Sequence, residues 1–138
     1  MVLDPHAREP LSRADGPAAQ RDGVLAVDCS WNRLADRGSL PGPSPGPEDR
    51  GIRRRLPLLI AANPQHYGRL GELNTAEALA AALYVLDRPS EAEALLEGLP
   101  GEGSFFEVNE ARLERYRAAT SAPEILAAER SLFGPGGP

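Results

Sequence analysis

Leu56-Pro57-Leu58-Leu59-Ile60-Ala61-Ala62, closed by Asn63-Pro64, is the stretch on which the fold reading turns. It is apolar throughout and stops at a turn-forming Asn-Pro pair, the pattern of a strand buried on both faces of a parallel sheet. Upstream, Val2-Leu3 ahead of Asp4-Pro5 reads as a strand end, and Val24-Leu25-Ala26-Val27 as another short buried strand. Residues 12–21 between them suit a short helix interrupted at Pro17. Downstream the pattern changes period. Asn74 is placed to cap a helix with Glu77 at its third position, and Ala78, Leu79, Ala82, Leu83 and Leu86 recur at helical spacing before Pro89. Further helical patterns cover residues 90–99, 109–119 and 123–133. Strands in the first half and helices in the second predict an α/β fold, a parallel sheet followed by C-terminal helices.

The chain of 138 residues is 41% apolar, enough for one core and not two, so a single domain over residues 1–138 is expected. The segment from 39 to 50 is too rich in Pro and Gly for regular structure and reads as an exposed loop. No apolar run approaches the roughly 18 residues of a membrane span, and the opening MVLDPHAREP lacks the basic and apolar regions of a signal peptide. A soluble, cytoplasmic protein without a membrane partner is the expectation. Cys29 is the sole cysteine and has no clustered His beside it, so no metal site is expected.

Net charge is −5, which argues against a strongly basic nucleic-acid binder, but the charge is uneven. Residues 1–69 carry ten Arg against eight acidic residues, a balance of +2, and residues 70–138 carry five against twelve, a balance of −7. Every basic residue is Arg, as a G- and C-rich genome would favour.

Polar and aromatic residues cluster where the predicted strands end. Asp28-Cys29-Ser30-Trp31 follows one strand, and Ala61 to Gly68, with His66 and Tyr67, follows another. Open α/β sheets bind ligands in the crevice outside strand carboxyl ends. Trp31 suits stacking on an adenine or packing on a sulfonium; it equally suits plugging the core. Asp28 fits three roles: general base, acceptor for a ligand, or helix cap. Cys29 is more in keeping with a small buried hydrophobe than with a nucleophile, and His66 with a turn residue. Arg50, Arg53, Arg54, Arg55 and Arg69 bracket the long apolar run, where they either grip phosphates or form a solvated charge run. No dinucleotide fingerprint, P-loop, serine elbow or Cys-His metal spacing occurs. What these exclusions leave is chemistry that needs placement more than acid–base machinery, and group transfer from a sulfonium fits it.

Several segments occur in a telling order: Leu3-Asp4-Pro5, Leu11-Ser12-Arg13-Ala14-Asp15, Val27-Asp28-Cys29-Ser30-Trp31, Leu56-Pro57, Ala61-Ala62-Asn63-Pro64 with Tyr67-Gly68, Glu77-Ala78-Leu79-Ala80-Ala81, and Phe105-Phe106-Glu107-Val108-Asn109 with Tyr116. Together they resemble the small-subunit rRNA aminocarboxypropyltransferases. The resemblance implies a SPOUT-like α/β-knot and transfer of the 3-amino-3-carboxypropyl group of S-adenosylmethionine to a methylated pseudouridine of small-subunit rRNA, on a pre-ribosomal particle. It further implies that Val27 and Leu56 meet the ribose and adenine through backbone groups and that Trp31 packs near the sulfonium methyl. Asp28 is implicated in holding the cofactor or in taking the acceptor's proton, and is the catalytic candidate. Gly71 and Thr75 match positions at the methionine moiety and adenosine. Arg53, Arg54, Arg55 and Arg69 are the weaker RNA-binding candidates, and a monomer is expected. Members of the family usually begin with a further segment that this chain does not include, so a shortened, non-catalytic relative that binds S-adenosylmethionine or a pre-ribosome is the alternative.

Overall fold

The computed structural model describes residues 1–26, 52–63, 68, 73–99 and 102–133. Three short parallel strands form its sheet: β1 (Val2–Leu3) in the centre, with β2 (Leu25–Ala26) and β3 (Arg53–Arg54) on either side. Val2 lies level with Leu25 and Arg53, and Leu3 with Ala26 and Arg54. The parallel sheet is as expected, but its members differ from the sequence reading. The third strand is an Arg pair, extended by a bridge from Arg55 to Pro10, and the apolar run that follows lies outside this ladder. Among the described strands β2 stands at an edge, and Leu25 is half exposed instead of buried.

Between β1 and β2 the chain makes a one-turn 3-10 helix at Arg13–Asp15 and then α1 (Gly16–Asp22). Pro17 opens α1 instead of interrupting it, because the first turn has no intrahelical use for the missing N–H. The second half is helical: α2 (Thr75–Val85), α3 (Pro89–Leu96), α4 (Glu102–Val108), α5 (Glu110–Ala118) and α6 (Ala122–Phe133). α2 is capped as its sequence predicts, with Asn74 accepting from the Glu77 N–H at 2.8 Å and Glu77 accepting from the Asn74 N–H at 3.2 Å. Ala78, Ala80, Ala81 and Ala82 are all buried, and these small side chains let α3 and α5 close on α2. α4 escapes the periodicity because Gly101 and Gly103 read as turn residues. It delivers Phe105, fully buried beside Tyr116 and Leu113 of α5 and Ile125 of α6 in the core shared with Leu3, Leu11 and Leu59.

α2 ends on a left-handed residue, Asp87, with φ of 70°. Asp tolerates this conformation better than most residues, and here its carboxylate is held by Arg117 Nε at 2.7 Å and faces Arg13 at 3.7 Å. The end of α2 is thereby tied both to α5 and to the 3-10 turn.

Candidate functional site

Because all three strands run the same way, their carboxyl ends lie along one edge of the sheet. Asp4 leaves β1 there, its N–H donating to the Arg54 carbonyl at 2.8 Å, and β3 passes directly into Arg55 and Leu56. Leu56 is half-buried, and its carbonyl accepts from Arg55 Nη1 at 3.1 Å.

Beyond Leu56 the apolar run is held in an unusual way. In an extended chain the backbone groups of residues two apart point to the same side. Here the groups of Leu58, Ile60 and Ala62 meet side chains of the C-terminal helices. The Leu58 N–H donates to Glu129 of α6 at 2.9 Å, and its carbonyl accepts from the Tyr116 hydroxyl of α5 at 2.8 Å. Asn109, between α4 and α5, accepts from the Ile60 N–H and donates to the Ile60 carbonyl, both at 2.8 Å, as a neighbouring strand would. The Ala62 N–H donates to Glu77 of α2 at 2.9 Å. Four side chains of the C-terminal half, three on helices and Asn109 at a helix cap, thus meet one side of the run, while Ile60 also occupies a bridge position and the Ala61 carbonyl accepts from the Gly68 N–H.

Thr75, the first residue of α2, is partly buried at the far end of this arrangement. Glu77 joins its helix to the run, since the same carboxylate that caps α2 also accepts from Asn63 Nδ2 at 2.8 Å. Leu56 and Thr75 are therefore carried by two pieces of chain locked to each other through buried polar groups.

The neighbouring arginines sit in ion pairs within the fold. Arg55 makes a two-pronged contact with Glu129 at 2.8 and 2.9 Å, and this hydrogen bonding raises its pKa against the opposing effect of burial. Arg54 lies against buried Asp15 at 3.1 Å and reaches Glu9 at 3.3 Å. Arg53, the most exposed of the three at 34%, approaches Asp4 at 3.4 Å. Tyr116, buried above the run, has its hydroxyl pKa pushed well up, chiefly by burial and then by the Glu129 charge, so it remains a donor at any ordinary pH.

Of the residues expected to form a site, the structure brings Leu56 to the sheet edge and Thr75 to the start of α2, and places Arg53, Arg54 and Arg55 on β3 and its continuation. Val27, Asp28, Trp31, Arg69 and Gly71 lie outside the described residues, as do Cys29, His66 and the Pro- and Gly-rich segment 39–50. Sequence reasoning missed the inward role of Glu77, Asn109, Tyr116 and Glu129. For Glu77, Tyr116 and Glu129 the signal is a polar group among the buried positions of a helix, and for Asn109 a cap residue between two helices. Among the described residues no group of three or more His, Cys, Asp or Glu is arranged to hold a metal, and no helix is long and apolar enough to cross a membrane.

Comparison with known proteins converges on one family. The family described as "Ribosome biogenesis protein, C-terminal" matches residues 1–133. The chain belongs to this family. Ribosome biogenesis relatives include the 16S rRNA aminocarboxypropyltransferase of Methanopyrus kandleri, 42% identical over 99% of this chain and 77% of the relative. The 18S rRNA aminocarboxypropyltransferase of Schizosaccharomyces pombe is 38% identical over 96% of this chain and 44% of its own length. A solved structure of the same kind, the SAM-dependent rRNA:acp-transferase Tsr3 from Vulcanisaeta distributa, superposes with a TM-score of 0.75 at 41% identity, covering 96% of this chain and 67% of that one.

Proposed function

We propose that the chain transfers the 3-amino-3-carboxypropyl group of S-adenosylmethionine to a methylated pseudouridine of small-subunit rRNA during ribosome maturation. One observation carries this reading: 41% identity and a TM-score of 0.75, over 96% of the chain, to a SAM-dependent rRNA:acp-transferase. The residues present suit such a cosubstrate. Leu56 stands at the carboxyl edge of a parallel sheet, where ligands of open α/β folds bind, and Thr75 opens a helix of eleven residues whose positive end favours a carboxylate.

S-adenosylmethionine supplies a carbon already activated by its sulfonium: as the acceptor nitrogen bonds to the aminocarboxypropyl carbon, the bond to sulfur breaks and methylthioadenosine leaves. The protein's part is placement. In this reading Val27 and Leu56 hold ribose and adenine by backbone groups. The Leu56 carbonyl, already accepting from Arg55, offers its second lone pair. Trp31 packs by the sulfonium methyl and shelters it, so that the longer carbon chain faces the acceptor. Asp28 holds the cosubstrate and stands ready to take the proton that the acceptor nitrogen loses, and Gly71 and Thr75 hold the methionine moiety and adenosine. Arg54 and Arg55 are occupied by Asp15 and Glu129, so RNA contact from the arginine group falls to Arg53 and Arg69. We further infer the SPOUT-like knotted arrangement and a monomer that works in the cytoplasm on a pre-ribosomal particle.

A transfer assay with two labels tests the reaction. With small-subunit rRNA carrying the methylated acceptor, label in the carboxyl carbon of S-adenosylmethionine is expected to enter RNA, and label in the sulfonium methyl is not. Methyl label in RNA would make the chain a methyltransferase, and no label from either position would remove the transferase reading.

A further inference from the structure

A glutamate at the third position of a helix ordinarily does one local thing: it reaches back to the cap residue's N–H. Glu77 does more. It is 4% exposed, and among the described residues its carboxylate accepts from three donors on two pieces of chain: the Asn74 N–H at 3.2 Å, the Asn63 side-chain amide at 2.8 Å and the Ala62 N–H at 2.9 Å. The first donor belongs to the start of α2, where Thr75 sits, and the other two to the end of the run that begins at Leu56. Nearby, the Gly68 N–H donates to the Ala61 carbonyl at 2.7 Å, one residue before the clamped pair.

We propose that Glu77 is a positioning residue for the S-adenosylmethionine site, fixing the start of α2 against the Ala62–Asn63 end of the apolar run so that Thr75 and Leu56 are presented at one spacing. This rests on the transferase reading above. The chemistry favours a carboxylate at this place, because an ionised carboxylate is acceptor-only and takes all three N–H donors at once. An amide in its place turns one of its ends into a donor facing a donor. Misplacement of a binding group by a fraction of an ångström is enough to reduce affinity and rate.

The test compares Glu77→Gln with two core variants that leave the clamp's carboxylate and donors in place, Leu113→Ala on α5 and Ile125→Val on α6, chosen to bracket its loss of melting temperature. Two quantities are read on the full chain: S-adenosylmethionine affinity by calorimetry, and the exchange rate of the Gly68 amide by hydrogen exchange without ligand. Glu77→Gln is expected to weaken binding by about tenfold or more, the equivalent of one lost charge-assisted hydrogen bond, and to speed Gly68 exchange. The core variants are expected to hold both within about twofold of wild type. Asn63→Ala, which cuts one of the three donors, serves where Glu77→Gln does not fold, and is expected to move both quantities in the same direction by about threefold. If the clamp variant and the core variants shift both quantities in parallel with stability, or if Gly68 exchange does not change, the proposal is wrong. A wild-type chain that binds no S-adenosylmethionine would instead overturn the site reading beneath it, while Gly68 exchange would still report on the clamp.

Discussion

The strands β1 to β3 and the apolar run 56–62 are both extended pieces of chain beside one core, yet their described contacts differ in kind. In the sheet, backbone meets backbone: Val2 donates to the Ile52 carbonyl at 2.9 Å, Asp4 to Arg54 at 2.8 Å and Leu25 to Met1 at 2.9 Å. In the run, Leu58, Ile60 and Ala62 are met by Glu129, Tyr116, Asn109 and Glu77. A backbone ladder is indifferent to which side chains stand on it, which is how two arginines come to form β3. Contacts made by side chains depend on which residues supply them, because a buried backbone group that loses its partner costs about 1–3 kcal/mol. The more apolar of the two regions is therefore the one more dependent on polar residues.

Asn109→Leu breaks this comparison most directly. The substitution keeps volume but leaves the N–H and carbonyl of Ile60 without their partner, and a loss of about 2–5 kcal/mol in denaturant unfolding is expected. A loss under about 1 kcal/mol would mean that the side-chain ladder is dispensable. Tyr116→Phe removes one hydroxyl from the Leu58 carbonyl and should cost about 1 kcal/mol by the same measurement. Arg53→Thr is the counterpart in the backbone ladder: it keeps the pairing of β3, gives up a long ion pair with Asp4, and should change stability by less than about 1 kcal/mol.

The smallest effect concerns neither ladder. Asp87 has its pKa held below the usual carboxylate range, foremost by the hydrogen bond from Arg117 and against slight desolvation. A depressed folded pKa adds stability that is present above the unfolded value, about 3.9, and is lost as pH falls through the lower folded value. The melting-temperature difference between wild type and Asp87→Asn is therefore expected to be small near neutrality and to vanish in acid below the folded pKa. An unchanged difference down to strongly acid pH would show that Asp87 acts through its left-handed backbone alone.

Helices other than α4 were legible because their signals are local. Asn74 and Glu77 lie three residues apart, and the cap they form is in place as read. The parallel sheet was legible in kind but not in membership. Leu56 to Ala62 carries every mark of a buried strand, and nothing nearby reveals that it is also held by side chains from 15 to 71 residues further along. Conversely, Arg53-Arg54 looks like solvated charge because Asp4 and Asp15, which accept those charges, stand 49 and 39 residues away. The same limit applied to the site. Leu56 and Thr75 were named from resemblance, whereas the second role of Glu77 depends on donors brought to it only by folding.

The most direct test of the central claim, that this edge of the sheet holds S-adenosylmethionine, is calorimetric titration of that compound into the wild-type chain and into folded Trp31→Ala and Asp28→Ala variants. The account predicts binding near one-to-one by the wild type and weakening of about tenfold or more in each variant. Wild-type affinity retained in both variants would place the cosubstrate elsewhere, and no binding by the folded wild type would contradict the account as a whole.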